Sequence, residues 1–223
     1  MKKLVLLMVL VLAGCVHPQS AEKPANLTSS ERAQVNSALT RFESVLNRVE
    51  PVAEAECRRR TTDENCDYEI VVDDRLDRYP NAFQTEDKSG RPYIVFTVSL
   101  LRDVRNTDEL ALIMGHEAAH HIRGHLGKKQ ENAIAGAAIF GILGALAGVD
   151  ATQLGADIGS RTYSKEFELE ADQLGTLITK RAGYDPLRGA EYFTRVPDPG
   201  NRFLGTHPPN AARIAAIHAA AKG

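Results

Sequence analysis

The chain has 223 residues, 43% of them hydrophobic and 25% charged, which suits one globular domain with a proper core. Its 27 basic and 29 acidic residues leave a net charge of -2, and no basic block stands out. Nucleic acid is therefore not an expected partner.

The first fifteen residues, MKKLVLLMVLVLAGC, read as a targeting segment outside the fold. Lys2 and Lys3 precede a short apolar run, Leu4 to Leu12, too short to span a bilayer as a stable helix. Leu12-Ala13-Gly14-Cys15 is similar to a bacterial lipobox, where cleavage before the cysteine frees a thiol for lipidation. On this reading residues 1–14 are a signal peptide and residues 15–30 are a lipidated N-terminus with a flexible tether. Val16 after the cysteine, by resemblance to known lipoprotein sorting, favours the periplasmic face of the outer membrane. Two cysteines remain, Cys57 and Cys66. An even pair closing a short loop in an exported protein reads as a disulfide.

Thr28 and Glu31 form a T-x-x-E capping box, and Val35, Leu39, Phe42, Val45, Val49 and Val52 follow at helical spacing. YEIVVDD, 68–74, and YIVFTVSLL, 93–101, are rich in β-branched and aromatic residues and read as strands joined by a loop. A second helix begins near Asn106 or Thr107 and is expected to stop at Gly127. Further helices are expected over 164–182, 186–195 and 208–222. The stretch 133–149 is apolar on all sides and full of Gly and Ala. It is shorter than the roughly 20 residues a span needs, so a buried helical hairpin or a mobile cover is favoured over a membrane-dipping helix. The fold expected is α+β, a small sheet beside a mainly helical body, with residues 31–223 as one domain.

GHEAAHHIRGH, 115–125, holds four of the seven histidines. His116 and His120 are i and i+4 on the second helix, so their rings leave one face and can share an ion. Glu117 flanks them as a general base would, within reach of a metal-activated water. His121 and His125 face elsewhere or lie a turn beyond, in supporting or surface positions. Position 126 is Leu126, which rules out a third histidine at metzincin spacing. A catalytic zinc needs a third protein ligand and an open position. Glu168 and Asp172, i and i+4 on a later helix, supply a candidate ligand and a candidate hydrogen-bond acceptor for a ligand imidazole.

H-E-x-x-H followed some fifty residues later by E-x-x-x-D within EFELEADQLG resembles the zinc endopeptidases typified by HtpX and the CAAX prenyl protease. With a lipobox in front, the chain is most similar to their periplasmic lipoprotein branch, the LoiP-like and BepA-like proteins. Asn81-Ala82-Phe83, the strand YIVFTVSLL and the late element THPPNAARI fall in the family's order, so the likeness covers about 68–218. The resemblance implies a gluzincin-type metallopeptidase domain with one Zn2+ held by His116, His120 and Glu168. It also implies Glu117 as base and Asp172 behind a ligand. Two positions depart from the family: Lys165 stands where arginine is frequent, and Ser99-Leu100-Leu101 replaces G-x-L-L. Lysine keeps the charge but not the planar fork.

The resemblance further implies that His207, in T-H-P, can close the metal's free position and keep the enzyme latent; substrate or oxyanion binding is the alternative. Tyr163 and Lys165 are further oxyanion candidates. An extended substrate is expected to pair with the edge of the strand at 93–101. The function implied is an envelope endopeptidase acting on unfolded or misassembled envelope proteins, membrane-bound through Cys15 and working beside envelope assembly machinery. The alternative is a zinc-bearing lipoprotein with a chaperone or assembly role and little turnover.

Overall fold

The computed structural model describes residues 27–161, 164–200 and 207–223; the expected signal peptide, Cys15 and Tyr163 lie outside them. Helix α1, Ser29–Arg60, opens on the expected capping box, with the Thr28 hydroxyl accepting from the Glu31 N–H and the Glu31 carboxylate accepting from the Thr28 N–H. Ala38, Phe42, Val45, Val49 and Ala53 form its buried stripe. At its end Cys57 is bonded to Cys66, with Cα atoms 5.6 Å apart, and the short loop between them turns the chain into the sheet.

Strands β1, Glu69–Asp73, β2, Ala82–Glu86, and β3, Pro92–Thr97, pair in the order β1-β3-β2. β1 runs parallel to β3 and β2 antiparallel to it. The expected α+β architecture is therefore present, with two corrections. The segment read as a plain loop contains β2, whose five residues A-F-Q-T-E carry too short and too polar a pattern to announce a strand. The strand expected over 93–101 ends at Thr97, because the Thr97 side chain accepts from the Leu100 N–H and caps α2, Val98–Asp103. β3 is thus the central strand, with Ile94 and Phe96 fully buried, and has no free edge for a substrate. Among the described residues the sheet's edge strands are β1 and β2.

Helix α3, Thr107–Ile122, starts where the Asn106 side chain accepts from the Asp108 and Glu109 N–H groups. It stops five residues earlier than the glycine pattern suggested. Gly124 takes φ +62, its N–H bonds the His121 carbonyl, and α4, His125–Ala147, sets off in a new direction. Residues 133–147, expected to form a hairpin of their own, are instead part of the single helix α4, which forms a hairpin with α5, Thr152–Arg161. Gly155 faces Gly136 so closely that a Cβ there would meet the Gly136 carbonyl at 2.2 Å. The hairpin is not buried, however. α5 covers the Gly/Ala side of α4, leaving Ile134, Ile139, Ile142, Leu143, Leu146 and Val149 outward at 56–83% exposure.

Helix α6, Ser164–Arg181, ends before Gly183 at φ +80. α7, Pro186–Gly189, a 3-10 turn, Ala190–Thr194, and α8, Asn210–Ala221, complete the fold. α6 packs on α3 through two glycines. A Cβ on Gly115 would lie 2.8 Å from the Gly175 carbonyl oxygen, and one on Gly175 would lie 2.7 Å from the His116 backbone nitrogen. No other residue permits this approach, and it sets one face of α6 against His116. Gly175→Ala should therefore destabilise the fold by about 1–3 kcal/mol through overpacking, read as a lower midpoint in denaturant unfolding. An unchanged midpoint would show that the crossing is not tight.

Candidate metal centre

His116 and His120 leave the same face of α3, their rings 4.6 Å apart and edge to face. Their Nε2 atoms are 3.0 Å apart. The Glu168 carboxylate arrives from α6, with Oε2 3.4 Å from His116 Nε2 and Oε1 3.5 Å from His120 Nε2. All three residues are buried, and they form the triad whose donor atoms could hold one metal ion. Two ligands at about 2.0–2.1 Å in tetrahedral array stand about 3.3 Å from each other, and one donor atom from each of the three residues lies within 4.8 Å of the others, near what a shared ion requires. Two imidazoles and a carboxylate suit zinc among the divalent metals.

Asp172, one turn along α6, has Oδ1 2.9 Å from His116 Nδ1. Its carboxylate is gripped by Arg213, whose Nε and terminal nitrogen lie 2.8 and 2.5 Å from the two oxygens. That bidentate fork fixes the carboxylate, which fixes the ring. Arg213 stacks on Phe193, 4.2 Å from the ring centre, which orients the guanidinium in turn. Sequence reading missed this role for Arg213. It lies within THPPNAARI, but only the packing of α8 on α6 shows where it points.

The electrostatics follow from burial. Burial and the Arg213 charge oppose protonation of His116, yet hydrogen bonds to Asp172 and Glu168 outweigh them and hold its pKa up at about 9. Burial, then the His116 charge, pushes His120 down to about 2, so that ring is neutral. Burial would raise the Glu168 pKa, but hydrogen bonds to His116 and His207 hold it well below the usual carboxylate range.

Glu117 is half-buried, and burial raises its pKa above the ordinary value, as suits a proton acceptor. It accepts a hydrogen bond from the Gln84 backbone in β2. A cleft of about 390 Å³ runs past it, lined among others by Asn81, Phe83, His116, Glu117, Glu168 and His207. His207 is half-exposed at the rim, its Nδ1 3.2 Å from Glu168 Oε2. Lys165 is not among the residues lining the cleft.

The other two histidines of GHEAAHHIRGH, His121 and His125, are buried, neither on the surface. His121 Nε2 donates to the Asn65 carbonyl at 2.8 Å, and its Nδ1 lies 3.2 Å from Glu86 Oε1. It ties α3 to the disulfide loop and to the end of β2. His125 packs against His120, Nδ1 to Nδ1 at 2.9 Å. Burial holds His125 neutral at pH 7, with its pKa near 4.

Several proteins are similar to the chain. A beta-barrel assembly-enhancing protease of Escherichia coli is 28% identical over 145 residues, 55% of this chain and 29% of its own length. One from Yersinia pestis is 26% identical over 140 residues, 54% of this chain and 29% of its own. The mitochondrial metalloendopeptidase OMA1 of Saccharomyces cerevisiae is 29% identical over 161 residues, 66% of this chain and 45% of its own. The chain thus spans under half the length of these relatives. A model of peptidase family M48 matches residues 40–221, which include every residue of the triad. The chain belongs to peptidase family M48, a family of metal-dependent peptidases.

Proposed function

We propose that residues 31–223 form one zinc metallopeptidase domain that hydrolyses peptide bonds of unfolded or misassembled envelope proteins. The observation that carries the reading is the convergence of His116, His120 and Glu168 to 3.0–3.5 Å beside the carboxylate of Glu117. His116, His120 and Glu168 would hold one Zn2+, which when bound supplies Lewis-acid polarisation of water and of the scissile carbonyl. Glu117 takes the proton of the attacking water and returns it to the leaving amine. Asp172, held by Arg213, keeps the His116 proton on Nδ1 and turns Nε2 toward the ion.

The substrate strand adds to β2. In the antiparallel pair, the Thr97 N–H bonds the Asn81 carbonyl and the Asp87 N–H bonds the Arg91 carbonyl. The odd-numbered residues therefore face β3, and Ala82 and Gln84 turn their backbone groups outward, the Gln84 N–H to Glu117. An extended peptide paired there presents its carbonyls along the cleft.

The likeness of Leu12-Ala13-Gly14-Cys15 to a lipobox, behind a signal-peptide-like stretch over 1–14, supports a domain tethered by residues 15–30 at the periplasmic face of a bacterial outer membrane. There it would work beside the envelope assembly machinery, in keeping with the name of the bacterial relatives. The exposed apolar residues of the α4–α5 hairpin favour one second reading, a zinc-bearing chaperone with little turnover.

Glu117→Gln separates the two readings. Cleavage of an unfolded protein such as casein should fall by at least about 100-fold while zinc content stays near one per chain. Retained cleavage would remove Glu117 as the base, and full rescue of an envelope defect by this variant would favour the chaperone. His207→Ala should raise the cleavage rate if His207 competes for the open position, and a fall would assign it to substrate. Zinc uptake should release about one proton near neutral pH. His116 is charged below about 9 in the metal-free protein, and only its neutral form ligates. Affinity should therefore drop about tenfold per pH unit as the pH falls below that value. Calorimetry in two buffers of different ionisation heat measures the proton, and identical heats would contradict the assignment.

A further inference from the structure

Each ring nitrogen of the two ligand histidines has a partner, but the two rings are supported by different means. His116 rests directly on a carboxylate, Asp172, at 2.9 Å. Among the described residues no carboxylate stands behind His120. Its Nδ1 meets His125 Nδ1 at 2.9 Å, and His125 Nε2 lies 3.4 Å from Glu170 Oε2. His125 is 1% exposed and lies flat on Phe167, ring centres 4.5 Å apart and planes 13° from parallel. Its ring is thus clamped.

On a continuous helix this contact would not form. Five residues advance a helix by about 500°, which sets side chains i and i+5 roughly 140° apart. The left-handed Gly124 breaks the helix and restarts it at His125, folding that ring back onto His120. α6 supplies the rest: Phe167 and Glu170 flank the ligand Glu168 on the same turn.

We propose that His125 and Glu170 are positioning residues that fix the tautomer and orientation of His120. The inference rests on the reading of His120 as a metal ligand and deepens it. Only one arrangement of protons satisfies all three groups. Nε2 of His120 must be a lone pair to ligate, so its proton sits on Nδ1 and is donated to Nδ1 of His125. His125 then carries its own proton on Nε2 and donates it to the Glu170 carboxylate. Glu170 is the exposed end of the chain, its side chain 42% accessible, so the relay leads from the buried ligand to the surface. The carboxylate serving His116, by contrast, is sealed and held by Arg213.

The test compares the wild-type protein with His125→Ala, His125→Gln, Glu170→Gln and His120→Ala. Zinc affinity is read by competition with a chromophoric chelator, and the imidazole protons by 15N–1H NMR. His125→Ala should weaken zinc about 10–100-fold and lose the slowly exchanging Nδ1 proton of His120. His125→Gln, whose side-chain carbonyl can accept the same hydrogen bond, should recover part of both, and Glu170→Gln should cost less than His125→Ala. Zinc affinity and the His120 Nδ1 signal unchanged in His125→Ala would overturn the proposal. So would a His125→Gln variant as impaired as His125→Ala, since a loss of packing alone would treat the two alike. The ligand assignment fails separately, if the wild type takes up no zinc or if His120→Ala binds it as tightly.

Discussion

The contact on which the site depends carries no charge. Gly115 and Gly175 bring α3 and α6 together at backbone distance, within one residue of His116. Any side chain at either position would separate the helices. The carboxylates of Glu168 and Asp172 would then withdraw from imidazoles they now meet at 2.9–3.5 Å. Close packing of two helices is thus converted into a ring of ligand atoms. The convergence gathers two carboxylates, two imidazoles and a guanidinium in a buried space, which is tolerable only because each charge has a partner.

Three acidic side chains, these two and the half-buried Glu117, line the cleft, and their surroundings differ. Asp172 is neutralised by Arg213 and can do little but orient His116. Glu168 faces two imidazoles and stays ionised, as the proposed ligand role requires. Glu117 faces the cleft, with a raised pKa and a backbone partner in β2, which fits the proposed base role. The same edge strand that holds Glu117 lines the cleft through Ala82, Phe83 and Gln84.

Much of this was legible in the chain. His116, Glu117 and His120 sit within five residues, where helical periodicity alone decides which side chains share a face. Glu168 and Asp172 were found the same way, and the capping box at Thr28 and the pairing of Cys57 with Cys66 are likewise local. What escaped was set by tertiary packing. β2 has five residues with no apolar alternation to mark it, and is a strand because β3 lies beside it. Arg213 reaches Asp172 across 41 residues of sequence. The helix break at Gly124 was displaced to Gly127 because both glycines are compatible with a stop, and only the former takes the left-handed conformation. The stretch 133–149 is one arm of a hairpin and not a hairpin itself, and composition could not say that its isoleucines and leucines would face outward, since that depends on which side α5 occupies.

The central claim is that His116, His120 and Glu168 share a single divalent ion with one coordination place open. X-ray absorption fine structure on the purified protein loaded with one equivalent of zinc tests it most directly. The account predicts a first shell of light atoms at about 2.0–2.1 Å that includes two imidazoles, falling to one imidazole in His120→Ala. A shell containing sulfur, or one whose imidazole signature is the same in His120→Ala, would contradict it.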